Sequence, residues 1–600
     1  PADVRAFKDI RSAEVSKPRE RVRERSVISP CPDPTRPRTA LYTNGRLTCC
    51  ISDIGTSLGT FDGYDVNAAD GDPIGRPQGV FAVFTGDDGR RVPFIRAIDT
   101  DGAAKFSCEF VGDRAIHTAA VKGMRLTMQS GVMSGRNCEM RRFTVENQSR
   151  REQLSGRLTV YFEPCLDKKE RFAAHPMYSK LFLVDEFDRE NGCAVFGRRD
   201  GSACAAAAGF IEDGFAFEGA RERVLSTPRG VFSLGERDGF AFGRGNPDAC
   251  CAFERHIELA AGGKGEFTLL IAVDETAEQA VGTFAAAKSM SGSKRLSKSP
   301  LLGDRAAEAV LGEMLPAVLY PRLFRKGTVI GDAAEFTRED IWSFGISGDL
   351  PILLMNFADD ADQAALRPYI VANRLLRSCG LRSDLVIAYS GTGEYGASPA
   401  AKLRSLAAEE GCELMIGIKG GIHLVDIARH SYRQRLALEH MSICVPHGAE
   451  NTEKEPQKPF KPLPFHRITD KKNSERSIRD VKQYSFTDSE ITIEKGPATV
   501  DIPWNIVLAN KSCGTMPSDK SLGFTWALNS RENKLTPWYN DTLSDNCGEM
   551  LIMKYEGILY DIAAIGTVTF TPNKAVWRVI VGGVDIEAVV ETADRGCVKR

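Results

Sequence analysis

Residue types suited to sugar binding cluster near the sequence NSRENKLTPW. The cluster comprises Trp526, Asn529, Arg531, Glu532 and Trp538. Indole rings stack on the C–H faces of pyranose rings, while guanidinium, amide and carboxylate groups hydrogen-bond to hydroxyls. We therefore predict a carbohydrate-binding loop. The alternative is that both tryptophans fill a core and that Arg531 and Glu532 only hold the loop in shape.

A second candidate is the glycine-rich loop from Gly391 to Gly396, whose spacing is G-x-G-x-x-G. It follows the strand-like SDLVIAYS and precedes a helical pattern, as in dinucleotide-binding units. However, the next apolar stretch, ELMIGIKGG, ends without the acidic residue that would bind a ribose. A nucleotide-dependent enzyme therefore remains a third-ranked hypothesis, which a rise in melting temperature with NAD or ATP would support.

Other polar residues favour structural roles. Asp349, in GISGDLP, is placed to orient nearby backbone amides, and a catalytic role would need a partner carboxylate. His423, His430 and His440 are spaced by seven and ten residues, which is not a metal-ligand pattern. His175 is expected to form structural hydrogen bonds. We predict no metal and no cofactor, and we assign no catalytic residue.

Composition limits the class of protein. The chain has 600 residues, too many for one hydrophobic core, so we expect several domains. The 78 Lys and Arg against 80 Asp and Glu give a net charge of -2, which provides no field for nucleic acid. The 16 cysteines contain no C-x-x-C, and no apolar run reaches membrane-spanning length. We expect a cytoplasmic protein with reduced thiols and a neutral ligand.

The first half of the chain has the pattern of a β-sandwich. Residues 1–39 are rich in Arg, Glu and Pro and predict a leader or connector. Within residues 40–290, short apolar stretches such as GVFAVFTG, RLTVYFEP and EFTLLIAVDE alternate with turn residues. The polar SMSGSKRLSKSP, which ends at Pro300, predicts a linker.

The second half is mixed. Residues 301–447 alternate strand-like and helical stretches, from PILLMNF to ELMIGIK, and predict helices with a small α/β domain. Residues 448–480 predict a second linker, and residues 481–600 return to strand patterns. The predicted fold class is mainly β with an inserted α/β region.

Two stretches resemble each other within the chain. YTNGRLTCCISDIGTSLGTF, residues 42–61, aligns with VLANKSCGTMPSDKSLGFTW, residues 507–526. Asn44 matches Asn510, and Ser-Leu-Gly at Ser57 matches Ser-Leu-Gly at Ser521. Because each copy opens a β-rich region, we predict two related sandwiches, the second incomplete.

Four stretches carry a resemblance to a known family. They are LYTNGRLTCCISDIGTSLGTFDGYDV, FEPCLDKKERFAAHPMYSKLFLVDEF, IWSFGISGDLPILL and the segment PWNIVLANKSCGTMPSDKSLGFTWALNSRENKLTPWYNDTLSD. They resemble glycoside hydrolase family 94 enzymes, namely 1,2-β-oligoglucan phosphorylases and cyclic β-1,2-glucan synthases. The resemblance spans most of residues 41–545. It implies a β-supersandwich, a helical and α/β domain, and the start of a second supersandwich.

The resemblance also implies a function. Family members carry their catalytic acid in an (α/α)6 barrel, which has no counterpart in these 600 residues. They perform inverting phosphorolysis of β-1,2-glucans to α-glucose 1-phosphate, with inorganic phosphate as co-substrate. The loop around Arg531 resembles one that reaches towards the catalytic centre, which makes Arg531 the strongest single candidate. Homodimer formation and, for a synthase, association with the inner membrane are further implications.

The sequence therefore leaves two main hypotheses. In the first, the chain is the non-catalytic front portion of a β-1,2-glucan phosphorylase or transferase and is inactive alone. In the second, it is a stand-alone carbohydrate-binding or structural protein. The first predicts a downstream barrel, and the second predicts glucan affinity without turnover.

Overall fold

A computed structural model describes most of the chain. The described residues are 27–69, 71–100, 102–225, 230–245, 247–290, 296–298, 301, 304–324, 336–357, 365–390, 398–444, 483–494, 503–538, 540–541, 543, 548–556, 558–594 and 596–600. The predicted second linker and the loop from Gly391 to Gly396 lie outside them. The fold class is mainly β, with helices concentrated in the middle of the chain.

The first region is built from strands β1–β19. Their bounds are β1 Val27–Ser29, β2 Thr39–Thr43, β3 Leu47–Ser52, β4 Ser57–Phe61, β5 Tyr64–Asn67, β6 Phe81–Gly86, β7 Arg91–Pro93, β8 Lys105–Val111, β9 Arg114–Val121, β10 Met124–Val132, β11 Cys138–Asn147, β12 Leu154–Phe162, β13 Pro164–Asp167, β14 Leu183–Asp188, β15 Cys193–Arg198, β16 Ala205–Phe210, β17 Ala216–Ala220, β18 Ala249–Leu259 and β19 Lys264–Asp274. The helices are α1 Lys169–Ala174, α2 Pro176–Lys180, α3 Arg221–Val224 and α4 Ala277–Lys288.

These strands form three antiparallel sheets around one core. A nine-stranded sheet has the order β1-β8-β9-β10-β11-β19-β16-β15-β14, and five-stranded sheets have the orders β17-β18-β12-β6-β7 and β13-β5-β4-β3-β2. In β9, buried residues alternate with half-buried ones along the whole strand. This period of two places one side of the strand in the core.

Two segments outside the predicted sandwich boundaries pack onto it. Val27–Ser29, within the predicted leader, pairs antiparallel with β8 at the edge of the large sheet. Leu296, within the predicted linker, forms an isolated bridge with Met133 and is 7% exposed. Backbone pairing at Val27–Ser29 and burial of Leu296 therefore extend the sandwich into stretches whose composition is polar.

The middle region is a small α/β unit. Its elements are α5 Arg305–Leu319, α6 Pro321–Phe324, α7 Glu339–Trp342, β20 Ile352–Phe357, α8 Arg367–Ser378, β21 Asp384–Tyr389, α9 Pro399–Glu409, β22 Ile422–Asp426, α10 Tyr432–Met441 and β23 Ile443–Cys444. The four strands are parallel in the order β22-β21-β20-β23. Helix α9 begins at Pro399 because Ser398 caps it by accepting a hydrogen bond from the Ala401 N–H.

One predicted strand of this unit is wrong. Glu413–Met415, in ELMIGIK, forms a 3-10 turn, and the strand is the following Ile422–Asp426. Gly417 and Gly420 have φ values of 76° and 72°, in the left-handed region that glycine adopts without penalty. They turn the chain back so that Ile416 and Ile422 bridge. The apolar run was therefore a turn, and the residues beyond it pair with β21.

The α/β unit shares a core with the first region. Leu41, Cys50 and Leu58, from the β2–β5 sheet, belong to the same apolar cluster as residues of α5 and α8. Across this contact, the hydroxyls of Thr56 and Tyr320 lie 2.7 Å apart. The β2–β5 sheet is therefore covered on one side by the sandwich and on the other by helices.

The last region is again β. Its strands are β24 Gln483–Phe486, β25 Ile491–Glu494, β26 Leu508–Ala509, β27 Cys513–Thr515, β28 Thr525–Ala527, β29 Ile552–Tyr555, β30 Ile558–Asp561, β31 Thr567–Thr571, β32 Lys574–Val581, β33 Val584–Ala593 and β34 Gly596–Lys599, with helix α11 Ile562–Ile565. They form a six-stranded sheet, β24-β25-β31-β32-β33-β34, a three-stranded sheet, β26-β27-β28, and the hairpin β29-β30. Their core surrounds the fully buried Trp577.

The internal repeat has matching backbone geometry in its two copies. The side-chain oxygens of Asn44 and Asn510 each accept hydrogen bonds from the N–H groups two and three residues later, at 2.8–3.0 Å. Asp53 and Asp519 each bind, through a carboxylate oxygen, the N–H of the residue fifteen positions earlier. These shared contacts support a common origin more strongly than the short identity in sequence does.

Among the described helices, none is both long enough and apolar enough to cross a membrane.

Asp65 provides a prediction about stability and pH. Burial raises the pKa of this carboxyl to about 7, and nearby Asp167 and Glu170 add to the rise against the opposing charge of Lys169. Its ordinary pKa is about 3.9 in an unfolded chain. The contribution of Asp65 to stability is therefore fully present below about pH 4 and is lost as pH rises through 7.

We expect Asp65→Asn to stabilise the protein by roughly 2–4 kcal/mol at pH 8 and to have little effect at pH 4. Chemical denaturation at both pH values measures this difference. Asp62→Asn, which alters an exposed partner of Arg46, is the control and should change little at either pH. An equal effect of Asp65→Asn at both pH values would contradict the prediction.

Candidate functional site

The predicted sugar-binding residues lie on a hairpin at the edge of the three-stranded sheet. Strand β28 carries Trp526, which pairs with Gly514 of β27 and forms an isolated bridge with Lys534. Between the two arms of this hairpin, residues 528–533 form a loop that is exposed throughout. Leu528 at its start is 77% exposed, with φ of 57°. The hairpin thus projects its loop away from the core.

Phe524, Trp526 and Trp538 form a surface that we call the aromatic platform. The Phe524 and Trp538 rings are stacked, with centroids 4.7 Å apart and planes 4° apart. The Phe524 and Trp526 centroids lie 5.1 Å apart. Phe524 is buried, whereas both tryptophans are half-buried. The tryptophans therefore pack on a buried ring and also expose indole surface. This arrangement lies between the two alternatives drawn from the sequence, namely tryptophans that fill a core and tryptophans that are open to a sugar.

Gly514 is required by the position of Trp526. A Cβ atom at residue 514 would lie 2.2 Å from the Trp526 ring. No side chain can occupy that space, so the indole lies directly across the glycine backbone. This contact fixes the orientation of one half of the platform.

The polar candidates lie on the exposed loop of the hairpin. Asn529 accepts hydrogen bonds at its side-chain oxygen from the backbone N–H groups of Arg531 and Glu532, at 2.9 and 3.0 Å. Arg531 and Glu532 form an ion pair, with Nε and Oε1 3.2 Å apart, and both side chains are exposed. Asn529 therefore shapes the loop, while Arg531 and Glu532 remain accessible to a ligand.

Lys534 adds a cation beside the platform. Its Nζ lies 5.7 Å from the centroid of the Trp538 ring. Partial burial, together with the charge of Arg531, lowers the pKa of Lys534. The hairpin, with Trp538 beside it, therefore combines the cations of Arg531 and Lys534, the carboxylate of Glu532 and two indoles. Sequence reasoning did not select Lys534, although it lies inside the quoted motif.

Glu549 braces the base of the hairpin. Its Oε1 accepts hydrogen bonds from the hydroxyls of Thr525 and Thr536, at 2.6 and 2.7 Å. Its other oxygen pairs with Lys599 of β34. The two arms that carry Trp526 and Trp538 are thus held together by one carboxylate.

Asp541, three residues after Trp538, anchors the segment in a buried charge cluster. The cluster comprises Arg76, Glu163, Lys180, Arg221, Asp248 and Asp541. Arg221 binds both carboxylate oxygens of Asp541, at 3.0 and 2.7 Å, and binds Asp248 at 3.0 Å. Three cations and three carboxylates therefore balance one another at the contact between the first region and the hairpin.

The pKa values reflect this balance. Burial alone would raise the pKa of Glu163, but Arg221 and Lys180 outweigh it and hold the pKa at about 2. Burial likewise opposes ionisation of Asp541, yet Arg221 and Arg76 hold its pKa well below the ordinary range. Glu163 and Asp541 can therefore remain charged inside the protein, because each is paired with buried cations.

The motif HP-x-x-SKLF owes its contacts to Ser179 and Lys180, not to His175. His175 is exposed, and no hydrogen bond of its side chain is described. Ser179 donates to Asp167 at 2.6 Å, and Lys180 binds Glu163 and Asp248. Both side chains are buried. The family-like motif therefore supplies one cation of the charge cluster.

The remaining sequence candidates do not join the platform. Asp349 pairs with Arg338 and Lys419 at 3.1 and 2.7 Å and lies exposed in the α/β unit. His423 is buried against Asp384, 3.2 Å away. Among the described residues, no group of His, Cys, Asp or Glu is arranged to hold a metal ion.

The first copy of the repeat shows what is particular about the platform hairpin. There, β4 turns directly into β5 through Asp62 and Gly63, both in left-handed conformations with φ of 46° and 85°. In the second copy, the equivalent turn is the longer exposed loop 528–533. The longer turn of the second copy thus provides the exposed surface that carries Arg531 and Glu532.

One cleft on the first sandwich has charged walls. It has a volume of about 440 Å³ and is lined in part by Arg91, Arg157, Glu236 and Asp238. Arg157 already pairs with Glu254 at 3.1 Å and with Asp238 at 3.3 Å. No aromatic ring lines the cleft. The platform hairpin therefore offers aromatic surface that this cleft lacks.

Comparison with known proteins identifies related sequences. The family "Glycosyl hydrolase 94, supersandwich domain" matches residues 24–290 and 488–557, together more than half of the chain. The cyclic beta-(1,2)-glucan synthase NdvB of Rhizobium meliloti (strain 1021) is 23% identical over 591 residues. That alignment covers 86% of this chain and 20% of the relative. The chain therefore spans about a fifth of the length of this relative.

Solved structures give weaker likenesses. A bacterial glucoamylase complexed with acarbose has a TM-score of 0.29 and 11% identity, covering 45% of this chain and 38% of that chain. A putative aldose 1-epimerase from Escherichia coli K12 has a TM-score of 0.26 and 11% identity, covering 40% and 99%. These scores are too low to inform the architecture or the function.

The family match includes both the first sandwich and the segment with the aromatic platform. It is interrupted by the α/β unit, as expected for a region inserted between two sandwich-type segments. The chain belongs to the glycosyl hydrolase 94 supersandwich family.

Proposed function

We propose that this chain is the non-catalytic front portion of a carbohydrate-active enzyme that acts on β-1,2-glucans. In this proposal the platform hairpin binds the glucan, with Trp526 and Trp538 stacking on sugar rings and Arg531 and Glu532 binding hydroxyls. The family membership and the cyclic β-1,2-glucan synthase relative support the substrate class. The observation that carries the proposal is the exposed loop beside two half-buried indoles.

The chemistry of the loop fits a neutral polyol. A glucan offers hydroxyls that both donate and accept, so a guanidinium and a carboxylate side by side can each find a partner. The ion pair between Arg531 and Glu532 keeps the net charge of the pair at zero. An anionic polysaccharide would instead favour cations without a neighbouring carboxylate.

The anchoring of the hairpin fits a site that must hold its geometry. Asp541 fastens one end of the segment in the charge cluster, and Glu549 joins its two arms. A binding surface fixed before the ligand arrives loses less conformational entropy on binding.

We place the bond-breaking step outside these residues, in an (α/α)6 barrel. There a carboxylic acid would protonate the leaving glycosidic oxygen while inorganic phosphate attacks the anomeric carbon, giving α-glucose 1-phosphate by inversion. This chain would position the glucan for that step. Without the barrel it is expected to bind glucan and not to cleave it.

Titration calorimetry with β-1,2-gluco-oligosaccharides tests the proposal. We expect binding by the wild-type chain and an affinity loss of about tenfold for Trp526→Ala or Trp538→Ala, because each removes one stacking surface. Trp342→Ala is the matched control, since Trp342 is 58% exposed on α7, outside the platform. β-1,4-Linked oligosaccharides serve as the control ligand and should bind more weakly.

The outcomes separate the hypotheses. Equal loss of affinity in all three tryptophan variants, or no binding by the wild type, would refute the platform as the glucan site. Phosphorolysis restored by adding a barrel domain supports the front-portion role. Glucan binding that no barrel converts into turnover would favour a stand-alone carbohydrate-binding protein.

A further inference from the structure

Two thiols meet where the C-terminal strand packs on the platform-bearing sheet. The sulfur atoms of Cys513 and Cys597 lie 3.5 Å apart, although the residues are 84 positions apart in sequence. Cys513 begins β27 and is buried, whereas Cys597 lies in β34 and is partly exposed. Both thiols are free. The two sulfur atoms need to move only a short distance closer to reach the disulfide bond length of about 2 Å.

We propose that Cys513 and Cys597 form an oxidative modification site, which a small-molecule disulfide such as oxidised glutathione converts into an intramolecular disulfide. The more exposed Cys597 first attacks one sulfur of the oxidant, forming a mixed disulfide and releasing one glutathione thiol. Cys513 then attacks the Cys597 sulfur and releases the second. The protein loses two electrons and two protons, and one oxidant molecule becomes two thiols.

The surroundings determine the rate. Burial raises the pKa of Cys597 to about 12, and the neighbouring Cys513 adds to the rise. The attacking species is the thiolate, so the reaction is slow at neutral pH and accelerates as pH increases. The site therefore responds to sustained oxidation and not to brief exposure.

The cross-link would join two sheets that already share polar contacts. Lys599, two residues after Cys597, donates to the Thr515 hydroxyl at 3.1 Å and to the Leu522 carbonyl at 3.3 Å. It also pairs with Glu549, which braces the platform hairpin. A disulfide at this place fixes β34 against β27. A resulting gain in glucan affinity rests on the proposed function, whereas the cross-link itself does not.

Peptide mapping of the full chain tests the proposal. After incubation with oxidised glutathione at pH 8.5, we expect a non-reduced peptide pair containing Cys513 and Cys597, about 2 Da lighter than the sum of the two thiol peptides. The melting temperature should rise by at least about 5 °C, because the bond closes a long loop. Cys513→Ser and Cys597→Ser should lose both effects. Cys379→Ser, which alters a partly exposed thiol elsewhere, should keep them.

A wild-type chain that gives no such peptide, or that links either cysteine to a third one, overturns the proposal. Glucan titration of the reduced protein is read separately. Failure of the reduced protein to bind refutes the proposed function and leaves the cross-link intact. A cross-linked protein with unchanged affinity refutes only the effect on binding.

Discussion

Asp541→Asn is expected to destabilise the protein by roughly 3–5 kcal/mol. The asparagine has nearly the same shape but no charge. Arg221 would therefore stay buried while one of the carboxylates that balance its charge is lost. Urea denaturation measures the loss. Hydrogen exchange across residues 525–541 should also increase, because the anchor of the platform hairpin is weakened.

The effect of Asp541→Asn should depend on pH. Arg221 holds the pKa of Asp541 well below its ordinary value, so the stabilisation is present above about pH 4 and is lost as pH falls further. The two proteins should therefore become more similar in stability at low pH. Asp349→Asn is the matched control, because Asp349 also has two cationic partners but is exposed. It should cost less than about 1 kcal/mol, and an equal cost would contradict the role of burial.

Trp577→Ala is expected to cost roughly 3–5 kcal/mol in the last region. Trp577 is fully buried on β32 and packs in one core with Ile493, Leu508 and Leu522. Leu508 and Leu522 lie in the second copy of the repeat, just before the platform. The cavity should therefore weaken the platform hairpin as well as the six-stranded sheet, which thermal denaturation followed by tryptophan fluorescence would detect.

A conservative change gives the control for this prediction. Trp577→Phe leaves a smaller cavity and should cost clearly less than Trp577→Ala. Trp342→Ala removes an exposed indole and should change stability by no more than about 0.5 kcal/mol. If Trp577→Ala and Trp342→Ala lowered the stability by similar amounts, Trp577 would not organise this core.

The mainly β architecture with its α/β insertion could be predicted from sequence because the patterns are local. Alternating burial in β9 and the apolar run of β20 are visible in short windows. The error at ELMIGIK has a physical cause. An apolar run cannot be distinguished from a strand until the glycines that follow it are known to adopt left-handed conformations.

The candidate site was predictable only in part. Trp526, Arg531 and Trp538 were selected because their types suit sugars and their positions are close in sequence. Lys180, Arg221 and Asp541 come from distant parts of the chain, and single charged residues carry no signal of burial. His175 was chosen from its motif for a structural hydrogen bond, whereas Ser179 and Lys180 beside it make the described contacts.

The pairing of Arg221 with Asp541 has a consequence for synthesis on the ribosome. The two residues are 320 positions apart, so at 5–20 residues per second Arg221 emerges roughly 15–60 s before its partner. Once Asp248 has also emerged, and until residue 541 does, the nascent first sandwich holds Arg76, Lys180 and Arg221 against Glu163 and Asp248 alone, an excess of one positive charge. The charge cluster of the first sandwich is therefore completed only after residue 541 has been synthesised.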